Sequence, residues 1–105
     1  MDEIQGYETY LTTEKKASDN TLCSYLRDVR QFAAYCEREG LVLTQVGQPD
    51  VEGYLRSLTS RGKSVATVTR AAASLKSFYG YLIRSGKAAA NPARGVAPAK
   101  VERKL

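Results

Sequence analysis

SDNTLCSYLRDVRQFAAYCEREG, running from Ser18 to Gly40, reads as one helix from cap to cap. Ser18 is a good N-cap, because its hydroxyl can accept a hydrogen bond from an orphan backbone N–H of the first turn. Leu22, Tyr25, Leu26, Val29, Phe32, Ala33 and Cys36 then recur at helical spacing and form an apolar stripe. Gly40 stands where a helix ends, since glycine takes the left-handed conformation at little steric cost. The segment predicts a helix over 19–39.

Three more segments follow the same logic. Ile4, Tyr7 and Leu11 predict a helix over about 3–15, with Asp2 and Glu3 in a first turn that favours acids. Pro49 at a first helical position opens a third helix near Gln48, where the missing N–H costs nothing. Val51, Tyr54, Leu55 and Leu58 line it, and Arg61-Gly62-Lys63 ends it near residue 60. Ser64 caps a fourth over 65–84, striped by Val68, Ala72, Leu75, Phe78, Tyr79, Leu82 and Ile83 and closed by Ser85-Gly86. Between the second and third, Leu41, Leu43 and Val46 are expected to tuck into the core. No alternating strand pattern and no internal repeat is present. The expected fold is all-α, a compact bundle of four main helices. Residues 1–90 make the domain. Residues 91–105, with Asn91-Pro92, Gly95 and Pro98, read as the start of a linker whose tail is mobile after about Pro98.

Composition removes several functions. Histidine is absent, which excludes a Ser-His or Cys-His nucleophilic pair and leaves a zinc site almost without ligands. Cys23 and Cys36 sit thirteen residues apart on one helix, about 20 Å along the axis. They cannot bridge, and two free thiols suit a reducing compartment. The glycines match no phosphate loop, so no cofactor is expected. The acidic amino terminus does not read as a secretory signal, and no apolar run approaches a membrane span, so a cytoplasmic location is expected.

Charge gives the first positive indication. The net charge is +5, and it is segregated: residues 1–60 carry six Lys/Arg against ten Asp/Glu, and residues 61–105 carry ten against Glu102 alone. Such asymmetry suggests a polyanionic partner. On the second helix Asn20, Ser24, Arg27 and Gln31 share one face. On the fourth, Thr67, Arg70, Ser74 and Ser77 share another. No acid lies on either line, although Asp28 flanks the first. Hydroxyls and amides can position on phosphates, while arginine neutralises phosphate or reads guanine. Thr21 beside the first stripe and Lys63 before the fourth helix join the candidate DNA contacts. The bland alternative is two ordinary solvated faces. Lys15 and Lys16 fit a phosphate contact and a solvated loop equally. Tyr7, Tyr25, Tyr54 and Tyr79 belong to the core, whereas Tyr35 and Tyr81 lie nearer its edges. None has the surrounding cations of a catalytic tyrosine.

The order of motifs is familiar. Ser18, Asn20, Thr21, Tyr25, Asp28, Val29 and Phe32, then Asp50-Val51, Tyr54-Leu55 and Leu58, resemble the opening elements of the core-binding domain of tyrosine recombinases, the phage-integrase family. Thr67, Arg70, Ser74-Leu75-Lys76-Ser77-Phe78-Tyr79 and Tyr81-Leu82 resemble its next element, and Asn91-Pro92-Ala93 its exit into an interdomain linker. The resemblance spans essentially the whole chain and is nearest to the Xer-type, phage and conjugative-element integrases. Two departures are small: Gly47-Gln48 stand where a Thr cap is common, and Ala72-Ala73 replace a bulkier pair.

The resemblance implies a SAM-like helical domain that clamps duplex DNA at a recombination site, with its second and fourth helices in or across the major groove. A separate carboxyl-terminal catalytic domain of the parent chain would cut DNA through a tyrosine, for DNA integration and recombination. Other recombinase protomers on DNA would be further partners. The fragment itself is then expected to bind and not to catalyse. The competing class is a helical protein-interaction module, for which apolar surface around Tyr10 and Leu11 would serve. A helix-turn-helix repressor fits less well, because the connector between the second and third helices exceeds that motif's turn.

Overall fold

The computed structural model describes residues 2–13 and 18–93. Among these residues four α-helices form: α1 (Asp2–Thr13), α2 (Asp19–Glu39), α3 (Gln48–Ser60) and α4 (Val65–Arg84), with a short 3-10 turn at Leu43–Gln45. The described residues contain no strand. The bounds of α2, α3 and α4 match those expected. The expected end of α1 at Lys15 and the tail beyond Pro98 lie outside the described residues, as do Lys15 and Lys16.

The helix ends follow from local chemistry. Ser18 Oγ accepts from the Thr21 N–H at 3.3 Å, and Ser64 Oγ accepts from the Thr67 N–H at 3.1 Å. Each serine also donates to the same threonine's hydroxyl, at 3.1 and 3.0 Å. Gly47 has no side chain to cap α3, but Asp50 Oδ2 reaches back to its N–H at 2.9 Å, the reciprocal half of a capping box. At the end of α2, Gly40 takes φ 73°. Its N–H donates to the Glu37 carbonyl, and the Leu41 N–H donates to that of Cys36. This is a Schellman closure. Gly62 after α3 and Gly86 after α4 repeat it.

Helices α2 and α4 form the central pair, α1 packs across both, and α3 packs on α4. Val29, Phe32, Leu75, Phe78 and Leu82 are fully buried between them. Phe32 meets Tyr54 edge-on at 5.0 Å and Tyr79 at 6.4 Å, while Tyr7 meets Phe78 edge-on at 5.2 Å. Burying each such side chain stabilises the fold by about 1.5–3 kcal/mol. Of the tyrosines expected inside, Tyr7, Tyr54 and Tyr79 are buried, and Tyr25 is half-buried against the core. Tyr35 and Tyr81 are half-buried, as befits edge positions. Leu41, Leu43 and Val46 pack on the core from the connector, which Tyr79 fastens by donating its hydroxyl to the Leu43 carbonyl at 2.6 Å.

Two pairings fix how α2 and α4 run. Asp28 meets Ser74, and one turn further on Phe32 meets Tyr79. The helices therefore point the same way. Asp28 lies ten residues past Ser18 and Ser74 ten past Ser64, so both capped N-termini emerge at one end of the bundle.

Beyond α4, packing continues through Ala93. Asn91 Nδ2 donates to the Lys76 carbonyl at 3.0 Å, and the Ala93 N–H donates to Asn91 Oδ1 at 3.0 Å. Pro92 and Ala93 are buried. The asparagine thus folds the chain back onto α4 before the basic stretch begins.

Candidate nucleic-acid interface

The two polar stripes do converge, through a contact with no local signature. Arg70 on α4 grips Asp28 on α2 from the side: Nε donates to Oδ2 at 2.9 Å and Nη2 to Oδ1 at 3.0 Å. Ser74 Oγ donates to the same Oδ2 at 2.8 Å, and lies 3.0 Å from the Arg70 carbonyl. Asp28 is 3% exposed. A buried carboxylate is costly unless paired and hydrogen-bonded, and here three donors meet it. The carboxylate's hydrogen bonds hold the Arg70 guanidinium in its charged form, above its ordinary value. Ser24 lies one turn before Asp28, and Thr67 one turn before Arg70, so the stripes run side by side.

Placement divides the candidates. Asn20, Thr21, Arg27 and Lys63 are exposed, while Ser24, Thr67, Arg70 and Ser77 are half-buried. Thr21 and Thr67 are also tied into the helix caps. Ser74 is corrected: with 0% exposure it faces Asp28 inside the bundle and has no surface to offer a ligand. Ser77 is turned inward as well, and accepts the Tyr7 hydroxyl at 2.8 Å. The stripe on α4 is thus less a solvent face than the polar margin of its contact with α1 and α2. The outward side of α4 carries Ala66, Thr69, Ala73 and Lys76 instead.

The absence of acid on the two lines also takes a different meaning. A carboxylate does stand between them, but it is buried and neutralised by Arg70. What the surface presents there is Asn20, Arg27, Gln31 and the outer part of Arg70, whose side chain is 39% exposed. Asp19 remains as an exposed acid at the start of α2. Another ion pair, Arg30 with Glu8, is long at 4.0 Å and exposed on both sides. Such a pair contributes little. Because α2 and α4 are parallel, Lys63 sits at the same end as Asn20 and Thr21.

The apolar surface considered for a protein partner shrinks. Leu11 is buried at 3%, and Tyr10 is half-buried, with its ring 5.1 Å from Tyr81 and the Arg84 guanidinium 5.8 Å above it. Among the described residues no group of acids, cysteines or histidines could hold a metal, and no helix is long and apolar enough to cross a membrane. Cys23 and Cys36 are both free, as their spacing demands.

The family description "Phage integrase, N-terminal SAM-like domain" matches residues 4–86, from the first turn of α1 through the glycine that closes α4. The chain belongs to this family. The all-helical fold of the described residues, without a strand among them, agrees with the SAM-like type, as the resemblance implied. Among similar proteins, the tyrosine recombinase XerC of Azotobacter vinelandii is 36% identical, over 98% of this chain and 35% of its own length. The tyrosine recombinase XerD of Oceanobacillus iheyensis is 34% identical, over 97% of this chain and 35% of its own. The chain therefore spans about a third of the length of these relatives. No solved structure matches it. Within this integrase-type domain, the motif residues Asp28, Arg70 and Ser74 prove to be one hydrogen-bonded cluster. Along the sequence they are separate motif positions, and their separations of 42 and 46 residues leave no periodic trace.

Proposed function

We propose that this chain is the DNA-gripping domain of a tyrosine recombinase, and that the joined margins of α2 and α4 face duplex DNA. The carrying observation is the Asp28–Arg70 bond, which sets the two stripes side by side while burying the carboxylate between them. That leaves Asn20, Arg27, Lys63 and Arg70 on a surface whose donors suit phosphate oxygens and base edges. Both helix N-termini open at the same end, where their partial positive charge adds to Lys63. The basic carboxyl half of the sequence, ten cations against one acid, supplies a field of the right sign. The family supports the role in recombination, and the relatives' greater length leaves room for a catalytic domain in a parent chain. Cutting and rejoining DNA would belong to that domain. Further protomers on the same DNA would be its partners.

The test is a salt titration of binding to a short mixed-sequence duplex, followed by fluorescence anisotropy. Binding should weaken steeply with salt, by about 0.9 logarithmic units per logarithmic unit of salt for each phosphate contact. Arg27→Ala should flatten that slope by about one unit. Arg38→Ala, at the far end of α2, should change it less. Binding that ignores salt, or an Arg38→Ala effect equal to that of Arg27→Ala, would remove α2 and α4 as the interface.

A further inference from the structure

The geometry points to Asp28 as a positioning residue: it fixes the Arg70 guanidinium so that its outer edge serves as a directional reader of DNA sequence, not as a free counter-charge. This deepens the DNA reading above and rests on it. A guanidinium has five N–H donors in a rigid plane. The side-on edge, Nε with Nη2, is spent on Asp28 at 2.9 and 3.0 Å. The end-on edge remains, with one N–H on Nη2 and one on Nη1 held parallel, and the side chain keeps 39% of its exposure. A parallel donor pair matches the O6 and N7 acceptors of guanine.

The surroundings favour orientation over charge. Asp28 is 3% exposed and is itself held by Ser74, so the support cannot swing. Ser74 Oγ is anchored in turn near the Arg70 carbonyl, one helical turn back. The guanidinium is thus located by its own stem on α4 and by a carboxylate on α2. An arginine so held loses less side-chain freedom when it binds, which is how preorganisation raises affinity. Its charge, by contrast, is compensated at contact distance, and it offers a distant phosphate far less net attraction than exposed Arg27 does. Arg27 and Arg70 therefore divide the work: Arg27 supplies salt-dependent attraction, and Arg70 supplies sequence preference.

The division gives Asp28 an effect opposite in sign to simple electrostatics. On charge alone, removing an acid buried just behind a DNA-facing surface should tighten binding to every sequence. If Asp28 positions Arg70, removing it should cost sequence preference instead. The experiment starts from a pool of short duplexes with a randomised centre, from which the chain enriches its preferred sequence. Binding of that duplex and of the mixed pool is then measured for wild type, Asp28→Asn and Arg70→Lys, each checked for helicity and melting temperature. Arg70→Lys keeps the charge and loses the fork, so it decides the matter even where Asp28→Asn fails to fold. The expected result is a loss of preference of about ten-fold or more in both variants. The salt slope should be unchanged in Arg70→Lys, and binding of the mixed pool undiminished in Asp28→Asn. Preference retained in Arg70→Lys, with only melting temperature lowered, overturns the proposal and leaves the pair a structural tie. A wild-type chain that binds DNA with steep salt dependence but enriches no sequence also overturns it, while the DNA reading stands. Absence of salt-dependent binding overturns both.

Discussion

Raising the pH should unfold this domain abruptly, because its core is built on tyrosines that must stay neutral to remain inside. Burial pushes the Tyr7 and Tyr54 phenols from 10.0 up to about 12, and pushes Tyr79 up as well. Burial likewise raises the Cys36 thiol from 9.0 to about 11, with Asp50 adding to it. Each folded-state pKa lies above its unfolded value, so between the two the native state binds more protons. Stability is then fully present below the unfolded pKa and falls as pH rises toward the folded one. For a phenol moved from 10 to 12, the loss at about pH 11 is about 1.4 kcal/mol. Tyr7, Tyr54 and Tyr79 together lose about 4 kcal/mol there, and Cys36 adds about 2 kcal/mol. That total of about 6 kcal/mol is comparable with the whole stability of a small domain, about 5–15 kcal/mol. Helical circular dichroism and phenolate absorbance, followed together through an alkaline titration, provide the assay. The phenolates of Tyr7, Tyr54 and Tyr79 should appear together, in one step with the loss of helix. All seven tyrosines titrating near pH 10 with the helices intact would refute the packing assigned to Tyr7, Tyr54 and Tyr79.

Two further outcomes test the fold locally. Thiol titration of the native protein should find Cys23 reacting at once and Cys36 only after denaturation, since the first is exposed and the second is buried with a raised pKa; two equally fast thiols would contradict the placement of α2. Tyr79→Phe removes the hydroxyl that holds the connector through the Leu43 carbonyl. It should cost about 1 kcal/mol and lower the melting temperature by about 4–8 °C, measured by thermal denaturation, and an unchanged melting temperature would show that this bond contributes nothing.

The sequence by itself determined the helices, and the reason is the range of the forces involved. The Ser18 and Ser64 caps act over three residues, the Gly40, Gly62 and Gly86 closures over five, and the apolar stripes over each successive turn. All of these can be read along the chain, so the bounds of α2, α3 and α4 followed from it. The ordered motifs carried the family in the same way.

Only the tertiary structure decided which polar residues face outward. Ser74 is the neighbour of buried Leu75 and one turn from Arg70, a position at the margin between core and solvent. Its side depends on where a neighbouring helix lies. A serine hydroxyl is compatible with water and equally with a buried acceptor, so its identity gives no hint. The deciding fact is Asp28, 46 residues away, which needs buried donors and draws Ser74 and Arg70 toward itself. Asn91 is similar: a turn signal in sequence, it becomes a clasp on Lys76 only because α4 passes beside it. Periodicity records what each helix buries on average. Hydrogen bonds between helices depend on their relative position, which no local pattern encodes.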